Sequence, residues 1–155
     1  MQSIERRLTE LGVTLPEAPP PVATYVPYVI SSDMVYVSGQ LSACGEERIA
    51  GRLGESVDVE TGRLAARLCA INLLAHLKNA CDGDLERLVR IVKLTGFVNS
   101  IPDFGDQPAV VSGASDFLVE LLGSRGQHAR SAVGVAALPF GIAVEIEGIF
   151  QILPP

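Results

Sequence analysis

The chain has 155 residues, 48% of them hydrophobic, and a formal net charge of −6 at pH 7. A single domain of that length buries about 68–70% of its unfolded surface without a disulfide or metal staple. The acidic balance and the lack of a Lys/Arg cluster argue against nucleic acid as a main partner, since phosphate binding rests on grouped basic side chains.

No apolar run approaches the ~18–20 residues of a membrane span. The opening MQSIERRLTELG is charged and amphipathic rather than a secretory signal, so a cytoplasmic protein is expected. Mean hydropathy is nevertheless +0.33, which leaves surplus apolar surface for a homo-oligomer interface. Cys44, Cys69 and Cys81 show no C-x-x-C spacing and read as free thiols of a reducing compartment. His76 and His128 form no helical pair, and no metal site is expected.

In chain order, Ser3 caps a short helix that ends near Leu11 and Gly12. TLPEAPPPVA is a Pro-rich extended lead-in. Residues 1–20 thus form an N-terminal helical and Pro-rich extension on one domain spanning residues 1–155. VATYVPYVIS and MVYVSGQLS are strand-like and meet at Ser31–Ser32–Asp33. CGEER is a turn, and IAGRLG is read as a short strand.

From Asp58 or Val59 to Ala80 the period becomes helical. Leu64, Leu68, Ile71 and Ala75 form one apolar row, and Ala66, Ala70, Leu73 and Leu77 a second. So wide an apolar surface suits a helix that covers a sheet and also meets a partner. A β-branched run predicts a strand over Leu88–Val98. A second helix is expected from Pro108 to Leu122, with Gly113 as a weak point in its middle. Two final strands flank LPFG and read as an apolar hairpin. The order is α+β: one mixed sheet with helices on one face.

Three features of that hairpin and of the early strands bear on chemistry. Period-2 alternation puts Arg130 on one face with Ala132, Gly134 and Ala136, so small residues leave room beside a guanidinium. Such an arginine can hold a carboxylate, although spacing alone favours a structural ion pair at a sheet edge. Glu145 and Glu147 share a face of the last strand, where either orients water or simply faces solvent. Gly39 marks either close approach by another group or an ordinary bulge. Tyr25 and Tyr28 are candidate pocket walls or half-buried strand tyrosines, and His128 either reaches the cavity beside Arg130 or, as a lone loop histidine, faces solvent, the reading favoured. The residues by themselves do not reach a reaction.

ARSAVGVAALPFGIAVEIE, Ala129 to Glu147, resembles the C-terminal signature of the RidA/YjgF family, also called endoribonuclease L-PSP-like proteins. That signature has an A/T-R-S/A-x-V start, a Leu-Pro turn and a finish alternating hydrophobic residues with Glu. VSGQL at Val37–Leu41 matches the family's S-G-Q segment, and its distance from Tyr25 fits the tyrosine that precedes it. The N-terminal extension resembles the long YjgF/chorismate-mutase-like branch.

The resemblance implies a chorismate-mutase-like fold, a homotrimer with pockets between subunits, and small carboxylates as ligands. The implied activity is cofactor-free deamination: hydrolysis of reactive enamines and imines to 2-keto acids and ammonia. By matching position, Arg130 would clamp the substrate carboxylate and Glu145 would hold or activate water. Tyr25 would line the pocket, Ser38 and Gly39 would supply backbone contacts, and Ser112 stands where an asparagine is frequent. The chain departs from the pattern at His128, where a proline is usual, and at Ala132, where many members have cysteine.

The alternative is a non-catalytic module that binds 2-keto acids. A ribonuclease or translation-inhibitor role, attached to some relatives, sits poorly with the acidic charge. Chorismate mutase activity rests on fold analogy alone.

Overall fold

The computed structural model describes residues 2–18 and 23–154. Helix α1, Ile4–Glu10, starts where the Ser3 hydroxyl accepts the Arg6 N–H at 3.3 Å. Its buried side chains, Ile4 and Leu8, join the main core, and Glu5 pairs with Lys78 at 2.7 Å. The helix is thus packed against the body of the domain. The Pro-rich lead-in lies partly outside the described residues.

Strands β1, Tyr28–Ser31, and β2, Met34–Leu41, pair antiparallel around Ser32 and Asp33, as expected. The first strand is shorter than expected, because Pro27 has no N–H to give a ladder. CGEER forms the turn of a two-stranded ribbon, β3 Ala43–Cys44 with β4 Glu47–Arg48. IAGRLG is not a strand; it makes single bridges, Ala50 to Ile142 and Leu53 to Ser100.

Helix α2 spans Val59–Ala80 and is capped by Asp58, whose carboxylate accepts the Thr61 N–H at 2.8 Å. Strand β5 spans Leu88–Asn99, helix α3 Gln107–Leu122, strand β6 Ala129–Val135 and strand β7 Val144–Ile152.

The main sheet has the order β1-β2-β7-β5-β6, antiparallel throughout except for β5 and β6. Helix α3 is the crossover that this parallel pair requires. The last two strands are therefore not a hairpin: β6 and β7 lie on opposite sides of β5. Side-chain content explains the split. β7 buries Val144, Ile146, Phe150 and Ile152 on one face and takes a central position. β6 offers its helix side only Arg130, Ala132 and Gly134, too little apolar area for the centre, and it forms the edge.

Helices α2 and α3 cover one face of the sheet, with Val35, Leu73, Leu94, Val98 and Phe150 fully buried between the layers. Gly113 is not a weak point. A Cβ there would lie 2.1 Å from the Arg63 carbonyl oxygen, so the glycine lets α3 press onto α2. The other face is open, with Val29, Tyr36 and Val133 at 54%, 46% and 44% exposure. Here lies part of the surplus apolar surface indicated by the composition.

Candidate functional site

Arg130 stands on edge strand β6, opposite Leu94 in the parallel register, and its side chain runs toward α3. Its Nη1 donates to the hydroxyls of Ser112 (3.1 Å) and Ser115 (3.2 Å), and its Nη2 donates to the Pro108 carbonyl (3.3 Å). Ser112 itself donates to Pro108 O at 2.8 Å. The two Nη1 hydrogens are thereby used, while Nε–H and one Nη2–H keep no partner among the described residues. Those two donors form one side of the planar fork, the geometry that takes a carboxylate through two parallel bonds. Arg130 makes no ion pair among the described residues, so the structural alternative from spacing does not describe it.

His128 is not the exposed loop residue expected. It is half-buried, with Nε2 at 2.9 Å from Ser115 Oγ and Nδ1 at 2.6 Å from Gly126 O. Burial holds its pKa below the ordinary value, and the nearby Arg130 charge acts in the same direction, against the Gly126 hydrogen bond. Sequence reasoning missed Ser115. Its signal was available: Ser112 and Ser115, three residues apart on a helix, share one face.

The second group of residues lies elsewhere. Between Val37 and Gln40 the β2–β7 register slips by one residue, and Ser38 and Gly39 occupy the bulge. A Cβ on Gly39 would lie 2.4 Å from Glu145 Oε1, so the glycine sits in a bulge and lets the Glu145 side chain approach the backbone. Ser38 donates its N–H to Pro27 O and its hydroxyl to Val26 O, both at 2.8 Å, and so ties the loop bearing Tyr25 to the bulge. Asn72 of α2 supports the same end of β2 by donating to Leu41 O and Ala43 O at 3.1 and 2.7 Å. Tyr25 is 60% exposed. Burial raises the Glu145 pKa, and repulsion from Glu147 adds to the rise.

One chain does not bring these two groups together. Arg130 is level with Leu94, which is buried under the helices, whereas Glu145 faces Leu41 and Phe97 on the open side. Arg130 and Glu145 therefore belong to opposite faces, on strands separated by β5. Glu147 shares the open face and is exposed, beside a hollow of about 150 Å³ lined by Tyr36, Lys93 and Thr95. Among the described residues no three His, Cys, Asp or Glu side chains gather to hold a metal ion, and no helix is long and apolar enough to cross a membrane.

The fold and the two groups define a class: α+β domains with a mixed sheet, one helical layer, and an arginine on the edge strand. The family model described as "YjgF/chorismate mutase-like, putative endoribonuclease" matches residues 5–146. The chain belongs to this family, the RidA/YjgF proteins. Its relatives include Protein TCP17 of Trypanosoma cruzi, 43% identical over 96% of this chain and 94% of that protein. The crystal structure of Atu1372 from Agrobacterium tumefaciens, of unknown function, is 48% identical with a TM-score of 0.91, covering 97% of this chain and 92% of that one. A 2-iminobutanoate/2-iminopropanoate deaminase of Dermatophagoides farinae is 29% identical over 90% of this chain and 94% of its own length.

Proposed function

We propose that the protein is a cofactor-free hydrolase of small amino-acid-derived enamines and imines, with its site completed by a second copy of the chain. The observation that carries this reading is the unpartnered side of Arg130, held in place by Ser112, Ser115 and Pro108 O and shaped for a carboxylate. The deaminase relative supplies the reaction class.

In this scheme Arg130 of one subunit binds the substrate carboxylate. Glu145, Gly39, Ser38 and Tyr25 of the neighbouring subunit close the other side. The exposed Val29, Tyr36 and Val133 of the open sheet face support such assembly, and a homotrimer is the arrangement proposed. Glu145 accepts a proton from water as the oxygen attacks the imine carbon, and the elevated pKa suits it to both take and return that proton. The nitrogen takes that proton to give a carbinolamine. As the C–N bond breaks, the hydroxyl oxygen re-forms C=O and its remaining proton passes by way of Glu145 to the leaving nitrogen, so imine and water give a 2-keto acid and ammonia. No cofactor enters this balance.

The test is ammonia release from imines generated in situ by an amino-acid oxidase, with semicarbazide trapping the remainder. Wild type accelerates release, and Arg130→Ala and Glu145→Gln do not. Lack of acceleration by wild type across several imines would refute turnover. A second reading, a binding module for 2-keto acids, is favoured by one fact: the Arg130 group is complete within one chain, whereas Glu145 is not part of it. That reading predicts saturable keto-acid binding with no hydrolysis.

A further inference from the structure

Neither Ser115 nor His128 touches the proposed substrate edge of Arg130, yet both are bound into its support. We propose that they are positioning residues that fix the Arg130 guanidinium through a directed chain of hydrogen bonds. The inference rests on the reading of Arg130 as a carboxylate clamp.

The direction of the chain follows from what each atom can do. A carbonyl oxygen only accepts, so the 2.6 Å contact with Gly126 O places the proton of neutral His128 on Nδ1. Nε2 is then an acceptor, and the Ser115 hydroxyl donates to it at 2.9 Å. With its proton committed, Ser115 turns a lone pair to Arg130 and accepts from Nη1 at 3.2 Å. Ser112 repeats the arrangement one turn earlier, donating to Pro108 O and accepting from the same Nη1. Both Nη1 hydrogens are pinned by hydroxyls that cannot rotate without losing a bond, and the Nε side stays turned outward.

Protonated His128 would reverse this. Its Nε2 would become a donor, Ser115 would have to find a new place for its proton, and a second positive charge would stand beside Arg130. Burial opposes that state most strongly, against the Gly126 hydrogen bond, and the Arg130 charge adds to the opposition. Arg90 and Asp33, of opposite sign, line the shallow hollow that His128 borders.

The experiment uses the full chain with Ser115→Ala, His128→Ala, His128→Gln and the Ser115→Ala/His128→Ala double variant. Glutamine keeps an acceptor near the Nε2 position. In the ligand-free protein, 15N spectra at about pH 7 are expected to show neutral His128 protonated on Nδ1. Relaxation of the Arg130 Nε–H is expected to show loss of order in Ser115→Ala and His128→Ala but not in His128→Gln. Pyruvate titrations should give a Kd raised on the order of tenfold in each alanine variant, as for loss of one hydrogen bond to a charged group. The double variant should be no weaker than Ser115→Ala alone, because both changes break one chain.

An Nε2-protonated tautomer, or an unchanged Arg130 order in Ser115→Ala, would overturn the proposal. If wild type fails to bind pyruvate, the clamp reading falls, and the ligand-free spectra alone decide the positioning role.

Discussion

Arg130 is held by its far end, and that detail separates it from a lysine. Three acceptors on α3 fix Nη1 and Nη2, while the Nε side remains for a ligand. A lysine has a single charged nitrogen and cannot satisfy two hydroxyls and a carboxylate in one plane. Arg130→Lys is expected to lose about 1.5–3 kcal/mol of 2-keto acid binding, measured by calorimetric titration, while retaining the fold. Glu145 makes the complementary case. Its folded pKa lies above the unfolded value, through burial and then Glu147, so its charged form costs stability. As pH falls through the raised pKa, the folded state takes up the proton first and stability rises; as pH climbs through that window, stability falls. Glu145→Gln should therefore raise the urea midpoint at about pH 7, and the gain should shrink toward the ordinary glutamate pKa.

At the scale of elements, two glycines permit close approaches of different kinds. Gly39→Ala drives a methyl group into the Glu145 carboxylate and should displace it, lowering imine turnover more than it lowers thermal stability. Gly113→Ala meets backbone rather than a movable side chain. It should cost roughly 1–3 kcal/mol in chemical denaturation despite the better helix propensity of alanine. The elements themselves were largely legible. Asp58 and the apolar rows marked α2, and alternation through Val144, Glu145, Ile146 and Glu147 marked β7. Each strand's two faces could be read from period 2. Its neighbours could not, because alternation says nothing about pairing, and β6 joined β5 in parallel instead of turning back on β7. For the same reason Arg130 and Glu145 were legible as candidates, but their placement on opposite faces was not: it depends on register carried across β5. The neighbour of Gly39 and the bonds of His128 are contacts between distant segments, which a local pattern does not carry.

Among the described residues, the open sheet face mixes charged side chains, Glu145, Glu147 and Lys93, with uncovered apolar ones. Val29, Tyr36 and Val133 stand there uncovered, next to half-buried Phe97 and Ile149. Association over that face would remove the exposed area and bring the Glu145 side of one copy to the Arg130 edge of another. Val133→Asp should leave the helical circular-dichroism signal intact, reduce the mass seen by light scattering to that of one chain, and abolish imine hydrolysis with it. The proposed site is shared between copies. The most direct measurement mixes two inactive variants, Arg130→Ala and Glu145→Gln, by joint refolding and assays ammonia release. In a cyclic assembly with random mixing, about a quarter of the interfaces join an intact Arg130 to an intact Glu145 from the next subunit, so about a quarter of wild-type activity should return. No recovery above the separate variants, with wild type active under the same refolding, would contradict a shared site.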